Sequence, residues 1–251
     1  MGWQLMKRYE PELEIKFAAK SGFLSKDLWN DFFASGSVSW KNKLWASFVK
    51  EKIFFPHYAK VASHVLVPNK RHSLVQKVVG DGLVSAPFVS QLDHDERLAR
   101  MVLTLLKDGI ATNYRLEPEL KRLSAGVQRH YESQQKDKLP DALILLPDEK
   151  KTRIAIELEL TKKDPKRYRK IMNTYASFRR ADKVIFVVRN DRISQTIRQA
   201  MRDTYYPHWT KPVGFGRLED WTQNPGTARI VFDDKVTRLL EMAKLPTEKT
   251  A

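Results

Sequence analysis

Apolar residues recur at helical spacing through the first third of the chain and gather into short continuous runs later. Met6–Lys20 carries apolar positions near a 3.6-residue period, which predicts a helix. Gly22-Phe23-Leu24-Ser25 reads as a turn into a helix cap, with Ser25 ahead of KDLWNDFF. Gly36-Ser37 interrupts, and Ser37–Glu51 restarts the helical pattern, with Val38, Leu44, Trp45, Phe48 and Val49 for one buried face. Phe54–Val67 and Ser73–Val79 are rich in β-formers. The Pro68-Asn69-Lys70-Arg71 segment between them predicts a hairpin with a basic tip.

Beyond Ser90 the pattern alternates. Asp93–Lys107 is an amphipathic helix, Asn113–Leu120 a candidate strand, and residues 121–138 a polar stretch readable as loop or helical insertion. Asp141–Leu146 and Arg153–Leu160 are apolar strands joined by a polar turn at 147–150. Pro165–Arg179 is a basic helix, Lys183–Val188 a buried strand and Asp191–Asp203 a helix. Ala228–Phe232 is a candidate strand before a last helix at Asp233–Ala243. The expectation is an α/β protein in two parts, residues 1–90 and 91–251, with the seam near Ala86-Pro87-Phe88-Val89-Ser90.

Helix, turn, helix and basic hairpin is the order of a winged helix-turn-helix. In that motif the second helix lies in the major groove and its early residues meet base edges. Ser39, Lys41, Asn42 and Lys43 are then the base-facing candidates, with Lys70 and Arg71 on the wing meeting phosphate. The alternative is a small helical subdomain that only packs.

Charge sharpens this picture. The chain has 251 residues with 45 Lys+Arg against 30 Asp+Glu, a formal net charge of +15. Residues 1–90 hold 13 basic and 7 acidic residues, and the remainder 32 and 23, so both parts are basic. Such a field attracts polyanions, nucleic acid first among them. With no cysteine, disulfide scaffolds, Cys-based zinc sites and Cys nucleophiles are excluded. HExxH and Walker A patterns are absent. No apolar run approaches the ~18 residues of a membrane span, and the N-terminal residues lack a signal-peptide pattern. No membrane insertion and a cytoplasmic location are therefore expected.

The candidate chemistry lies in Pro140-Asp141, Glu157-Leu158-Glu159 and Lys162. Glu157 and Glu159 are two apart on one strand and project to one face. Asp141 opens the neighbouring strand, so the three carboxylates are expected at one end of a sheet. They are embedded in apolar strands, where an uncompensated charge is costly. A hard divalent cation, Mg²⁺ or Mn²⁺, would compensate them and could promote phosphodiester cleavage. Lys162 stands ready to hold the attacking water or the phosphate. From Lys162 to Arg180 there are eight basic residues and one acid. Lys166, Arg167, Arg169 and Lys170 are expected to contact backbone phosphates.

This spacing resembles the PD-(D/E)xK nuclease superfamily, with one departure. Glu159 stands where the usual lysine would be, leaving open whether Glu159 or Lys162 does its work. Four further features extend the match: the winged-helix order, the helix opening His94-Asp95, the strand segment holding Glu117, and the series PDALILL, IAIELELTKK and KRYRKIMNTYASFRR. Together they resemble the replication-relaxation family and, within it, MOBC-type relaxases of mobilisable plasmids. The resemblance implies a restriction-endonuclease-like mixed-sheet domain after the winged helix. It also implies bacterial origin and metal-dependent nicking at a plasmid origin of transfer, with accessory mobilisation and coupling proteins as partners. Asp141, Glu157 and Glu159 would be metal ligands, with His94, Asp95 and Glu117 as outer-shell candidates. The last three also read as ordinary helix-start or strand residues.

Tyr168, Tyr175, Tyr205 and Tyr206 are available as nucleophiles, although Tyr168 and Tyr175 read first as packing or DNA-facing residues of one helix. Glu159 also favours an alternative: a catalytically inactive, sequence-specific DNA-binding protein of plasmid replication or transcription. Trp29, Trp40, Trp45 and Trp209 read as packing anchors.

Overall fold

The computed structural model describes residues 9–57, 64–128, 139–178, 180–203 and 211–243. The chain divides into two compact units, Met1–Glu96 with Pro118–Ala125, and Arg97–Glu117 with Gly126–Ala251.

In the first unit, α1 (Glu12–Ser21) ends at Gly22, whose φ of 85° and N–H bond to the Ala18 carbonyl form a left-handed cap. A side chain there would also meet the Ser85 carbonyl oxygen at 2.3 Å, so glycine is required twice over. The chain continues as β1 (Leu24–Ser25), α2 (Lys26–Phe32), α3 (Val38–Lys50), β2 (Phe54–Pro56), β3 (Val65–Pro68) and α4 (Ser73–Val79). Ser25 and Ser37 cap α2 and α3 by accepting from the Leu28 and Trp40 amides. The three strands form an antiparallel sheet in the order β1-β3-β2. An aromatic cluster fills the core, with Trp29 5.3 Å from Trp45 and 5.7 Å from Phe48 between ring centroids. Trp40 is only half-buried, and Trp209 lies outside the described residues.

Three expectations for this unit need correction. Val38 is 74% exposed rather than part of the buried face. Residues 73–79 form a helix, because Leu74, Val75, Val78 and Val79 are spaced for one helical face and the His72 ring caps it by accepting from the Leu74 amide. Lys70 and Arg71 are therefore exposed on the turn from β3 into α4, not on a hairpin tip. The antiparallel β2–β3 pair is joined instead through residues 57–64, of which 58–63 lie outside the description.

After a short 3₁₀ turn, α5 (Leu92–Lys107) leads to β4 (Asn113–Leu116) and α6 (Glu117–Gln128). Then come β5 (Ala142–Leu145), β6 (Arg153–Glu159), α7 (Pro165–Ser177), β7 (Lys183–Val188) and α8 (Asp191–Arg202). The chain closes with β8 (Val213–Arg217), α9 (Leu218–Gln223), β9 (Ile230–Phe232), β10 (Lys235–Thr237) and α10 (Leu239–Met242). Seven strands of the second unit form one mixed sheet in the order β10-β9-β8-β7-β6-β5-β4. Only β6–β7 and β7–β8 are parallel. Alternation along β6 divides two cores. Ile154, Ile156 and Leu158 join Met101, Val102 and Leu105 of α5 on one face. Ala155 points to the other, with Tyr168, Ile171, Met172 and Tyr175 of α7 and Ile193 and Ile197 of α8. The protein is thus mixed α/β, as the pattern implies.

The strand expected at 113–120 stops at Leu116. Pro118 has no N–H to give a sheet but suits a first helical turn, so Glu117 opens α6 and that helix runs into the polar stretch as far as Gln128. Residues 129–138 lie outside the description. The last helix expected at 233–243 is a hairpin followed by one helical turn. Asp233 and Asp234 both have positive φ, 42° and 66°, and turn β9 into β10. Strand β8 carries glycines at 214 and 216, which hide its periodicity.

Candidate functional site

The acidic residues are placed by sheet register. Leu116 pairs with Ala142 and Ala142 with Ile156. One step further along these strands, Glu117, Asp141 and Glu157 stand in a row across β4, β5 and β6. Two bonds fasten the row: the Glu117 amide donates to the Asp141 carbonyl at 2.9 Å, and the Leu158 amide donates to Asp141 Oδ2 at 2.8 Å. Glu117 and Asp141 are half-buried, whereas Glu157 is 0% exposed.

A carboxylate as buried as Glu157 requires donors. The phenol of Tyr175, on α7, donates to Glu157 Oε1. Tyr175 is fully buried, and its phenol is held well above its ordinary range, first by burial and then by Glu157, Asp141 and Glu117 in turn. All three members of the row therefore bear on one hydroxyl.

Glu159 lies two residues on along the same face of β6 and has donors of its own. It is 1% exposed, and Lys163 Nζ lies 2.6 Å from its Oε1. The Tyr168 hydroxyl donates to Glu159 Oε2 at 3.4 Å and accepts from the Lys163 amide at 3.2 Å. Burial pushes the Tyr168 phenol up to about 12. The lysine that meets Glu159 is thus Lys163, one position beyond the expected Lys162, which is exposed. Its signal in the sequence is the i,i+4 spacing from Glu159 across a one-turn connection. Tyr168 and Tyr175 are packing residues of α7, as the helical spacing implies, and their hydroxyls are directed at the acids. Tyr205 and Tyr206 lie outside the described residues.

Asp141 and Glu157 thus stand in register with Glu117, while Glu159, two residues on along β6, has its own donors in Lys163 and Tyr168. Among the described residues no group of three His, Asp or Glu side chains is disposed to hold a metal ion. The oxygen donors of Asp141 and Glu157 suit Mg²⁺ or Mn²⁺. Mg²⁺ commonly takes one or two carboxylates and completes its shell with water and substrate phosphate. The residues fit an ion shared with substrate, not a ready-made protein cage. His94 and Asp95 hydrogen-bond each other at 2.9 Å and belong to the first unit.

Two surfaces are basic or polar. Helix α7 begins at Asp164, whose side chain caps it, and Pro165. It buries Tyr168, Ile171, Met172 and Tyr175, exposes Lys166, Arg167 and Lys170, and leaves Arg169 half-buried. On α3, Ser39, Asn42 and Lys43 are exposed, and Ala46 and Lys50 extend their face at helical spacing. Lys41 differs, since its Nζ donates to the Asn30 carbonyl at 3.3 Å, near the end of α2.

No protein-family model matches the chain, and no curated protein matches it in sequence.

Proposed function

We propose that the protein binds DNA through its first unit and cleaves a phosphodiester bond at the acidic row of the second. The carrying observation is the row Glu117–Asp141–Glu157 at one end of a mixed sheet, with a helix exposing Lys166, Arg167 and Lys170 following β6, the strand that carries Glu157. The order α5-β4-α6-β5-β6-α7-β7 supports reading this unit as a PD-(D/E)xK nuclease core with a helix between its first two strands. The order α1-β1-α2-α3-β2-β3, with the sheet arranged β1-β3-β2, supports reading the first unit as a winged helix. Helix α3 would then present Ser39, Asn42 and Lys43 to base edges. The specific form of the proposal is nicking at a plasmid origin of transfer, with accessory mobilisation proteins as partners.

Asp141 and Glu157 would hold Mg²⁺ or Mn²⁺, which would supply Lewis-acid charge at the scissile phosphodiester. Glu117 adds negative charge beside them. Tyr175 orients Glu157, and Tyr168 orients Glu159. Lys163, paired with Glu159, would take the part of the superfamily's lysine. Lys166, Arg167 and Lys170 hold flanking phosphates without reading sequence.

The test is conversion of supercoiled plasmid to open circle in Mn²⁺, with EDTA as the control. Glu157→Gln keeps an acceptor for Tyr175 and removes the charge. It should slow nicking by about a hundredfold or more while leaving DNA affinity unchanged. Nicking by this variant at the wild-type rate would overturn the assignment.

A second reading has its own observation. Both Glu157 and Glu159 already have internal donors, Tyr175 and Lys163. A domain so satisfied can serve as a scaffold, leaving a sequence-specific DNA-binding protein without cleavage. Calorimetric titration with Mn²⁺ separates the two, since heat absent at millimolar metal favours the second.

A further inference from the structure

The end of the seven-stranded sheet opposite the acidic row holds an open pocket of about 680 Å³. Its wall includes Lys150, Lys151 and Thr152 of the β5–β6 turn, Arg153 at the start of β6, and Asp182 and Lys183 at the start of β7. Arg153 and Glu157 are four residues apart on β6, so the pocket stands about 13 Å from the row at ~3.3 Å per residue.

The turn is built rather than loose. The Asp148 side chain accepts from the Thr152 amide at 2.7 Å and its hydroxyl at 2.6 Å, and the Lys151 amide donates to the Asp148 carbonyl at 2.8 Å. These bonds hold Lys151 at φ 49°, a conformation uncommon for a side chain other than glycine. The one acid lining the pocket is already committed. Asp182 takes Nε and Nη2 of Arg153 at 3.2 and 3.1 Å, and the Arg153 amide at 2.8 Å. The Arg153 guanidinium holds the Asp182 carboxyl below its usual range. Among the described residues Lys150, Lys151 and Lys183 form no ion pair with a carboxylate. Three lysines thus line one concavity with an ion-paired acid, the Lys183 ammonium lying 5.5 Å from the centroid of the Phe232 ring, and their like charges favour a multiply charged anion. Compact lysine charges suit phosphate.

We propose that this pocket is a phosphate-binding site, with Lys150, Lys151 and Lys183 as its cationic wall. The phosphate belongs either to a nucleic-acid backbone or to a free phosphate compound, and only the first source rests on the DNA-binding reading above.

The experiment uses the full chain and two probes. Affinity for random-sequence duplex DNA is measured against salt for wild type, for Lys150→Ala/Lys151→Ala, and for a charge-matched control, Lys77→Ala/Lys235→Ala. Backbone binding predicts that the log–log salt slope shrinks by about 2 in the pocket variant and by much less in the control. Inorganic phosphate is titrated in parallel while the amide signals of residues 150–153 and 183 are followed by NMR. Shifts that vanish in the pocket variant, with its DNA slope unchanged, assign a free phosphate compound. Equal slopes in both variants together with still amide signals overturn the proposal. Failure of the wild type to bind DNA would sink the DNA reading alone, and the phosphate titration would still decide the pocket.

Discussion

Buried carboxylates are the residues in which the sequence most needs its structure. Glu14 is 2% exposed and accepts from the Tyr9 hydroxyl and from Trp29 Nε1, the latter at 3.1 Å. Burial nevertheless raises its pKa. A carboxyl whose folded pKa lies above its unfolded value binds more protons when folded, so its contribution to stability falls as pH rises from the unfolded value through the folded one. The melting temperature of wild type should therefore carry a declining component from about pH 4.5 upward. Glu14→Gln keeps the acceptor and cannot ionise, so its melting curve should lose that component. Identical pH profiles for the two proteins would refute the assignment. Glu157 and Glu159 pose the same problem, and the protein answers it with Tyr175 and Lys163. The sequence displays these acids plainly, because charges within IAIELEL cannot be overlooked. Their partners are 4 to 18 residues away, on a turn and on a helix whose rotation the pattern does not define to the nearest side chain.

Elements with strong periodicity were legible, and weakly patterned ones were not. Helix α3, strands β5, β6 and β7, and helices α7 and α8 all lie where the apolar spacing puts them. Strand β8 escaped because VGFGR has two glycines and no alternation. Those glycines are set by packing. A Cβ on Gly216 would stand 2.2 Å from Trp221 Nε1 and 2.9 Å from Cδ1, against an indole that is 0% exposed. Gly216→Ala should therefore destabilise the second unit by about 1–3 kcal/mol, read as a lower urea midpoint with unchanged slope. An unshifted midpoint would mean that the indole moves aside freely. The errors at 73–79 and 233–243 share a cause. Short segments are decided by their ends, by a His72 cap in one case and an Asp233-Asp234 turn in the other, and β-propensity alone does not weigh these.

At the scale of the molecule, two basic units make salt dependence the natural measurement. Under the proposed function, phosphate contacts and base contacts separate cleanly. Lys166→Ala/Arg167→Ala should weaken binding to all duplexes alike and reduce the salt slope by about 2. Asn42→Ala should instead cost about 1–3 kcal/mol on a duplex enriched from a random pool and little on unselected DNA. The same loss on both kinds of DNA would remove α3 from sequence reading. No helix among the described residues is long and apolar enough to cross a membrane.

Local spacing by itself determined the alternation of helix and strand, the cap at Ser25, the shared face of Glu157 and Glu159, and the basic character of both halves. Each of these depends on residues within a few positions of one another. Only the tertiary structure decided that Glu117 stands in register with Asp141 and Glu157, that Lys163 and not Lys162 meets an acid, and that a second group of lysines lines a pocket at the far end of β6. Those groupings depend on the register between strands distant in the chain, and a register is chosen by packing of whole faces, which no short window of sequence contains.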